Sequence, residues 1–330
     1  MSANINKTNG KASIFTTAAT WHGLESQVSQ PSTSEEVIKL AGLDYTVEKK
    51  ELYTPVEEEY VIVPDKYATI RTDTNVPLGV VGERYNVLQN TDAFKFIDEI
   101  VGKKDAIFQS AGALGKGEKI WLSVKLPEVC VVGNDDIAEH YFFLSNSHDG
   151  SRSVELGFTN IFIVCENTMK MALSSAKKKK RVRHTASVNT KLIEAADLMG
   201  ITRQRVQQLQ KTYNAMSKVD IKDTQLRRFI EIAMKPEAEY ISKDEFSTRF
   251  KNIVDNVYAY SVGDSAQQLE TRKGTLFGAL NGVTGYYNNV ITYDTPEKKL
   301  NSIMFGNTQV VQQRAFDLAL SVLTEEYTLQ

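Results

Sequence analysis

Residues 118–126 read EKIWLSVKL, residues 140–145 HYFFLS and residues 156–165 LGFTNIFIVC. Each run is apolar, rich in aromatic and β-branched residues, and short, so each predicts a strand rather than a buried helix. Polar turn segments separate them: Asn134-Asp135-Asp136 between the first two, and His148-Asp149-Gly150-Ser151 between the second and third. Asn and Asp bond their own backbone in turns, and Gly takes the left-handed conformation at no steric cost. Glu166 to Ala176 then reads as a helix. The centre of the chain is therefore expected to run β-β-β-α.

Toward the N-terminus, residues 45–71 alternate in strand fashion, most clearly in Tyr60-Val61-Ile62-Val63, and Leu78 to Gly82 reads as a further strand and turn. Two short helices flank this β region. Ser34 to Ala41 follows Ser32 and Thr33, each with Glu three residues on, the spacing of a capping box, and Gly42 can close it. The second starts at Asn90 or Thr91 and places Phe94, Ile97 and Val101 on one face. Residues 1–20 are small, polar and aperiodic, and are expected to be flexible.

From Val188 onward the periodicity changes. Val206, Leu209, Tyr213 and Met216 follow helical spacing, as do Leu226, Phe229, Ile230 and Ala233. Phe246 to Val257 and Val310 to Leu323 form further stripes, read as core-facing. The expected fold class is α+β: a mixed N-terminal half with an antiparallel sheet, then a mainly helical C-terminal half. The expected divisions are a flexible segment 1–20, an α+β domain 21–176, a basic joint 177–187 and a helical region 188–330 packed on the sheet domain.

Composition narrows the function classes. The 330 residues are 42% hydrophobic and 24% charged, with net charge −2, values ordinary for a globular protein. No apolar run reaches transmembrane length and the N-terminus lacks a signal-peptide h-region, so a soluble protein of the bacterial cytoplasm is expected, with no membrane partner. Cys130 and Cys165 sit in apolar runs and read as buried thiols of a reducing compartment. The net charge hides an asymmetry. Residues 177–235 hold 15 Lys and Arg against 5 Asp and Glu, while the rest of the chain is acidic. A patch of this kind can hold a polyanion that the whole molecule would not attract.

Lys177-Lys178-Lys179-Lys180-Arg181-Val182-Arg183-His184 is the densest part of that excess, and Arg203 and Arg205 extend it into the next helix. Side chains of this type neutralise phosphates and release counterions, giving affinity without sequence preference. Ser151 and Arg152 could touch a phosphate at the neighbouring turn. Single-strand binding also uses rings on which bases stack, and Tyr141, Phe143 and Tyr287 are the candidates. Other chemistry is poorly represented. His148-Asp149 is adjacent in sequence, whereas triad members converge from separate elements, so no catalytic residue is assigned. The four histidines and two cysteines lack CxxC, HxxxH or HExxH spacing, so no metal site is assigned. Gly112 to Glu118 is not GxxxxGK[ST] and precedes a strand, and Gly278 to Gly285 lies in a helical pattern. No nucleotide or other cofactor is expected.

A set of short motifs occurs in order along the chain: Trp21-His22-Gly23-Leu24, residues 41–49 (AGLDYTVEK), residues 81–85 (VGERY) through Gln89-Asn90, Gly112 onward to Trp121, His148-Asp149-Gly150-Ser151, residues 164–168 (VCENT), Arg183-His184-Thr185, and residues 281–284 (NGVT) with Tyr287. In these the chain resembles the phage/plasmid-like family of uncharacterised proteins, a domain of unknown function found in bacteriophages, prophages and mobile plasmids. The resemblance implies a mobile-element setting and work beside replication or recombination. The β-β-β-α order before a basic segment is also similar to phage single-strand annealing proteins of the eukaryotic recombination-mediator type, an analogy of fold alone. The resulting expectation is a non-enzymatic protein that binds or anneals single-stranded DNA, with a homo-oligomer and phage or host recombination proteins as possible partners. The alternatives are a phage protein that modulates a host machine, and a Mg²⁺-dependent nuclease built from scattered carboxylates.

Overall fold

A computed structural model describes residues 7–8, 11–12, 14–16, 33–102, 107–162, 167–171, 181–184, 202–235 and 246–329. The chain is α+β, as its periodicities predict, with antiparallel sheets in the N-terminal half and helices after residue 201. The strands are β1 (Lys7–Thr8), β2 (Lys11–Ala12), β3 (Ile14–Thr16), β4 (Val47–Val56), β5 (Glu59–Arg71), β6 (Val76–Gly82), β7 (Ile107–Leu114), β8 (Lys119–Val132), β9 (Asp136–Ser147), β10 (Val154–Phe162), β11 (Asn167–Met171) and β12 (Arg181–Val182). The helices are α1 (Ser34–Leu40), α2 (Asn90–Gly102), α3 (Thr202–Met216), α4 (Asp223–Met234), α5 (Thr248–Gly263), α6 (Leu276–Gly285), α7 (Pro296–Phe305) and α8 (Asn307–Leu323).

The largest sheet has the order β11-β10-β9-β8-β7-β3, with β12 also paired to β10. A three-stranded sheet, β4-β5-β6, is a simple antiparallel meander. One sequence expectation changes and one strand was not anticipated. The segment expected to begin a helix at Glu166 is a strand over Asn167–Met171, where Thr168 and the sheet ladder override the weak helical spacing. Strand β7 was hidden because its small residues, Ser110, Ala111, Gly112 and Ala113, carry little β-propensity. It earns its place through an antiparallel register with β8 in which Ala111 faces Leu122 and Gly112 faces Trp121.

Contacts divide the chain into two units that interleave in sequence. The first contains residues 1–127, 141–158 and 173–202. Its core joins Val37 and Ile38 of α1, Phe94 and Ile97 of α2, and Phe108, Leu122, Val124, Phe142 and Leu144 of the sheet. The expected cap of α1 is made by Thr33, whose Oγ1 accepts the Glu36 N–H at 3.3 Å, and Gly42 closes the helix at φ 61°. At its start, the Ser34 N–H and Oγ both donate to the Asp98 carboxylate of α2 at 2.6 Å.

The second unit contains residues 128–140, 159–172 and 203–330. Its axis is α6, every residue of which is buried. Around it Tyr213 packs on Phe277 at 5.2 Å and on Phe316 at 6.4 Å between ring centres. A side chain at Gly278 would overlap the Arg272 carbonyl, and one at Gly282 would overlap Ser261. The glycines expected in a helical pattern therefore serve close packing rather than a phosphate loop.

Candidate functional site

In the first unit the motifs that were scattered along the sequence converge. His148 opens the turn after β9 and is fully buried. Its backbone N–H donates to the Glu118 carbonyl at 2.7 Å. Its Nε2 lies 2.8 Å from Asn90 Oδ1, and Asn90 Nδ2 donates to the Leu43 carbonyl at 2.8 Å. With the Asn amide oriented by Leu43, Nε2 carries the imidazole proton and Nδ1 is the bare nitrogen. No hydrogen-bond partner reaches Nδ1 among the described residues. Burial, with His184 nearby adding to it, pulls His148 down to about 3. A histidine held neutral this far below pH 7 is matched to neither general acid nor general base work there.

Around it the contacts tighten. The Tyr45 ring meets His148 edge-on at 6.3 Å, and its hydroxyl donates to the Gly117 carbonyl at 2.8 Å. Arg71 lies over the same ring at 3.9 Å and grips Asp73 with two bonds of 2.7 and 2.8 Å. Its third contact, Nη1 to the Lys116 carbonyl at 3.0 Å, fastens the turn between β7 and β8. Hydrogen bonding to Arg71 holds the Asp73 carboxyl below its usual range. Gly117 sits at φ 107°, and a Cβ there would come within 2.8 Å of the Tyr45 hydroxyl. The glycine-rich segment 112–118 is thus the end of β7 and a hairpin turn, residues 115–118, clamped by Tyr45 and Arg71.

The turn itself is an internal hydrogen-bond ring. The Asp149 carboxylate accepts from Ser147 Oγ and, at 2.8 Å, from the Ser151 N–H, and the Ser147 and Ser151 hydroxyls lie 3.2 Å apart. Burial pushes the Asp149 carboxyl upward, and the bonds from Ser147 and Ser151 together outweigh it and hold the group below the usual carboxylate range. Tyr85 donates to the Ser147 carbonyl at 2.8 Å and stacks on His184 at 4.5 Å, with an interplanar angle of 26°. The Asn86 N–H donates to the His184 carbonyl at 3.1 Å. His184 is buried, and desolvation lowers its pKa; the nearby backbones of Asn86 and Arg152 offset this in part without a hydrogen bond of normal geometry to either ring nitrogen.

The predicted contact residues separate accordingly. Lys177, Lys178, Lys179 and Lys180 lie outside the described residues, as do Trp21-His22-Gly23-Leu24 and Cys165. Arg181 is described as backbone only, pairing with Glu155 across β10 and β12, and Arg203 and Arg205 as backbone of α3. Arg183 is exposed. His184 is corrected: a buried, neutral imidazole stacked on Tyr85 adds no positive charge to the patch. Tyr141 and Phe143 are corrected as stacking platforms, being 6% and 2% exposed: both faces of β9 are covered, so neither ring is open to a base. Tyr287 is half-buried and set edge-on to Tyr286 at 5.9 Å, and burial pushes its phenol up to about 12. Ser151 is exposed but its polar atoms serve the Asp149 ring, and Arg152 lies 3.8 Å from Glu155. A carboxylate at the centre of this turn disfavours a phosphate there.

In the second unit the tip between β8 and β9 is held by side chains acting as backbone. Gln210 and Asn214 of α3 accept the N–H groups of Val131 and Gly133 at 3.3 and 3.0 Å, and Asn214 donates to the Val131 carbonyl at 2.9 Å. Asp136, read from sequence as a turn residue, forms a fully buried ion pair with Arg272 through two 2.6 Å bonds. Thr271 donates to Asp136 at 3.3 Å, and Arg272 Nη1 donates to the Ala266 carbonyl at 3.0 Å. Cys130 is buried, and desolvation, then Asp136, push its thiol up to about 12. Of the cations on α3, α4 and their connection, Arg227 pairs with Asp255 at 2.6 Å and Arg228 with Glu231 at 3.2 Å. Lys211, Lys218 and Lys222 are exposed and form no ion pair among the described residues. No group of three or more His, Cys, Asp or Glu that could hold a metal occurs among the described residues, and no described helix is long and apolar enough to cross a membrane.

Together these features define an α+β protein with two buried polar centres and an uneven charge distribution. Residues 77–314 match the family model DUF932, a domain of unknown function, and the chain belongs to that family. No curated protein and no solved structure matches the chain.

Proposed function

We propose that the protein binds single-stranded DNA, without catalysis, as an annealing or strand-protecting factor in the replication or recombination of a phage or mobile element. The observation that carries this reading is the excess of ten positive charges over residues 177–235 in a chain of net charge −2. Exposed Arg183, Lys211, Lys218 and Lys222 lie in that range without an ion pair among the described residues. Burial of Tyr141 and Phe143 shifts the expected mode toward phosphate contact, with little contribution from base stacking. Binding should then be indifferent to sequence and steeply weakened by salt. The neutral His148 and the self-bonded Asp149 turn favour a framework role for the motif cluster and support the reading without catalysis.

Fluorescence anisotropy of labelled oligonucleotides across a salt series tests the proposal. Each phosphate contact contributes a slope of about 0.7 in log affinity against log salt for a single strand, so replacing Lys177–Lys180 by Ser should flatten the slope by up to about 3. Absence of binding at low salt, or an unchanged slope in that variant, would sink the proposal. Degradation of the oligonucleotide with Mg²⁺ would replace it with the nuclease alternative.

A further inference from the structure

The hairpin of β4 and β5 extends beyond the third strand of its sheet. Strand β6 pairs with β5 only from Lys66 to Arg71, so residues 53–62 form a two-stranded ribbon. In its register Tyr53 faces Ile62 and Pro55 faces Tyr60 on one side, while Thr54 faces Val61 and Val56 faces Glu59 on the other. Both sides are open; the first is apolar, and the second sets Val56 and Val61 beside Thr54 and Glu59. Tyr60 is 77% exposed, and Tyr53, Val56, Val61 and Ile62 are each near half. A two-stranded ribbon is marginal by itself in water, and an uncovered apolar ribbon with free edges invites pairing.

Charge restricts what can cover it. Residues 51–65 contain Glu51, Glu57, Glu58, Glu59 and Asp65 and no Lys or Arg. Glu57 occupies the turn at φ 52°, a conformation that favours Gly or Asn. A strained, exposed acidic tip repels phosphate backbones and anionic lipid surfaces alike. It fits a basic protein surface, which the exposed Lys211, Lys218 and Lys222 supply within the basic stretch 177–235 of the sequence, with no ion pair among the described residues.

We propose that the β4–β5 ribbon is an assembly arm whose occupant is a second copy of this chain, with its acidic tip set against the basic segment of the neighbour. The arm and its acceptor are different surfaces, so the contact closes either reciprocally, each arm on the acceptor of the other copy of a two-fold dimer, or head-to-tail as a ring or filament. The exposed apolar ribbon is an observation independent of the DNA-binding proposal, whereas the acceptor assigned to it is the same basic segment, for which strand and neighbour would compete.

Sedimentation velocity and light scattering on the full chain, from about 1 to 50 µM and at low and high salt, test it. The wild type should associate, with weaker association at high salt. Two variants should be monomeric with an unchanged circular-dichroism spectrum: Tyr60→Asp with Ile62→Asp, and an arm in which residues 54–61 are replaced by Asn-Gly. The charge reversal Glu57→Lys, Glu58→Lys, Glu59→Lys should also be monomeric, and mixing it with Lys211→Glu, Lys218→Glu, Lys222→Glu should restore mixed assemblies. A monomeric wild type at about 50 µM would overturn the proposal, as would assemblies indifferent to both arm variants. Failure of the charge-reversed pair to associate would overturn the assigned acceptor surface.

Discussion

The first unit centres on a buried neutral imidazole, with the Arg71–Asp73 pair and the Asp149 carboxylate set around it, whereas the second centres on a charge pair whose two partners are both fully buried. Around His148 the partners are the Asn90 amide, the Tyr45 ring, the Glu118 carbonyl and a second neutral imidazole, and no partner reaches one ring nitrogen among the described residues. Around Asp136 the partners are a guanidinium held by two bonds, a hydroxyl and a further carbonyl for the third nitrogen. Removing a charge from water costs several kcal/mol, recovered only when geometry and remaining bonds are nearly complete. A neutral network costs less to bury and tolerates an open atom. The two centres should therefore fail differently: the second on loss of either partner, the first on change of protonation.

The largest effect is expected at Asp136. Asp136→Ala leaves Arg272 as an uncompensated buried cation and should destabilise the protein by about 3–5 kcal/mol in urea denaturation. Asp136→Leu combined with Arg272→Met removes both charges and should recover most of that loss. A double variant as unstable as the single one would show that shape, not charge, governs this centre.

Acid should act first on the other centre. His148 titrates near 3 in the folded protein and near 6.5 when unfolded. Between those values the unfolded chain binds the extra proton, so stability is full above pH 6.5 and falls on acidification by about 1.4 kcal/mol per pH unit. The lowered pKa of His184 adds in the same direction. Measured from pH 6.5 to 5, above the carboxylate range, His148→Gln should reduce the slope by about 1.4 kcal/mol per unit, and an unaltered slope would refute the neutral assignment.

Much of the fold was legible because periodicity reports burial directly. The stripes through Val206–Met216 and Leu226–Ala233 became α3 and α4, and the three apolar runs became β8, β9 and β10. What stayed hidden depends on tertiary partners. Asp136 looks like any turn aspartate until Arg272, far along the chain, closes on it. Arg272 stands in no motif. Asn90 read correctly as a helix start, yet its larger task is to orient His148. The aromatics of β9 misled because alternation divides a strand into two faces without saying that both are covered.

A smaller effect, of about 1–3 kcal/mol, is expected where the first centre meets β6. A Cβ at Gly79 would stand 2.5 Å from the Asp149 Cα and 2.8 Å from its carbonyl, and neither backbone atom can rotate away. Gly79→Ala should lower the urea midpoint, while Gly82→Ala, which meets nothing within 4 Å, should be neutral or slightly stabilising. Equal effects at both positions would indicate a general intolerance of β6 to side chains.

The smallest effect separates the two centres most sharply. Asp98 accepts both the N–H and the hydroxyl of Ser34 at 2.6 Å, so a carboxylate also stands in the first unit. Its partners are a donor that cannot reverse and a hydroxyl that can. Asp98→Asn keeps both bonds: the amide oxygen takes the N–H, and the amide nitrogen donates to the rotated hydroxyl. Only the charge is lost, along with a weak attraction to the start of a seven-residue helix. The expected cost is under about 0.5 kcal/mol, whereas the same change at Asp136 cannot neutralise Arg272 and should cost several. If Asp98→Asn proves as costly as Asp136→Asn, charge is required in the first unit too, and the contrast between a neutral and an ionic centre fails.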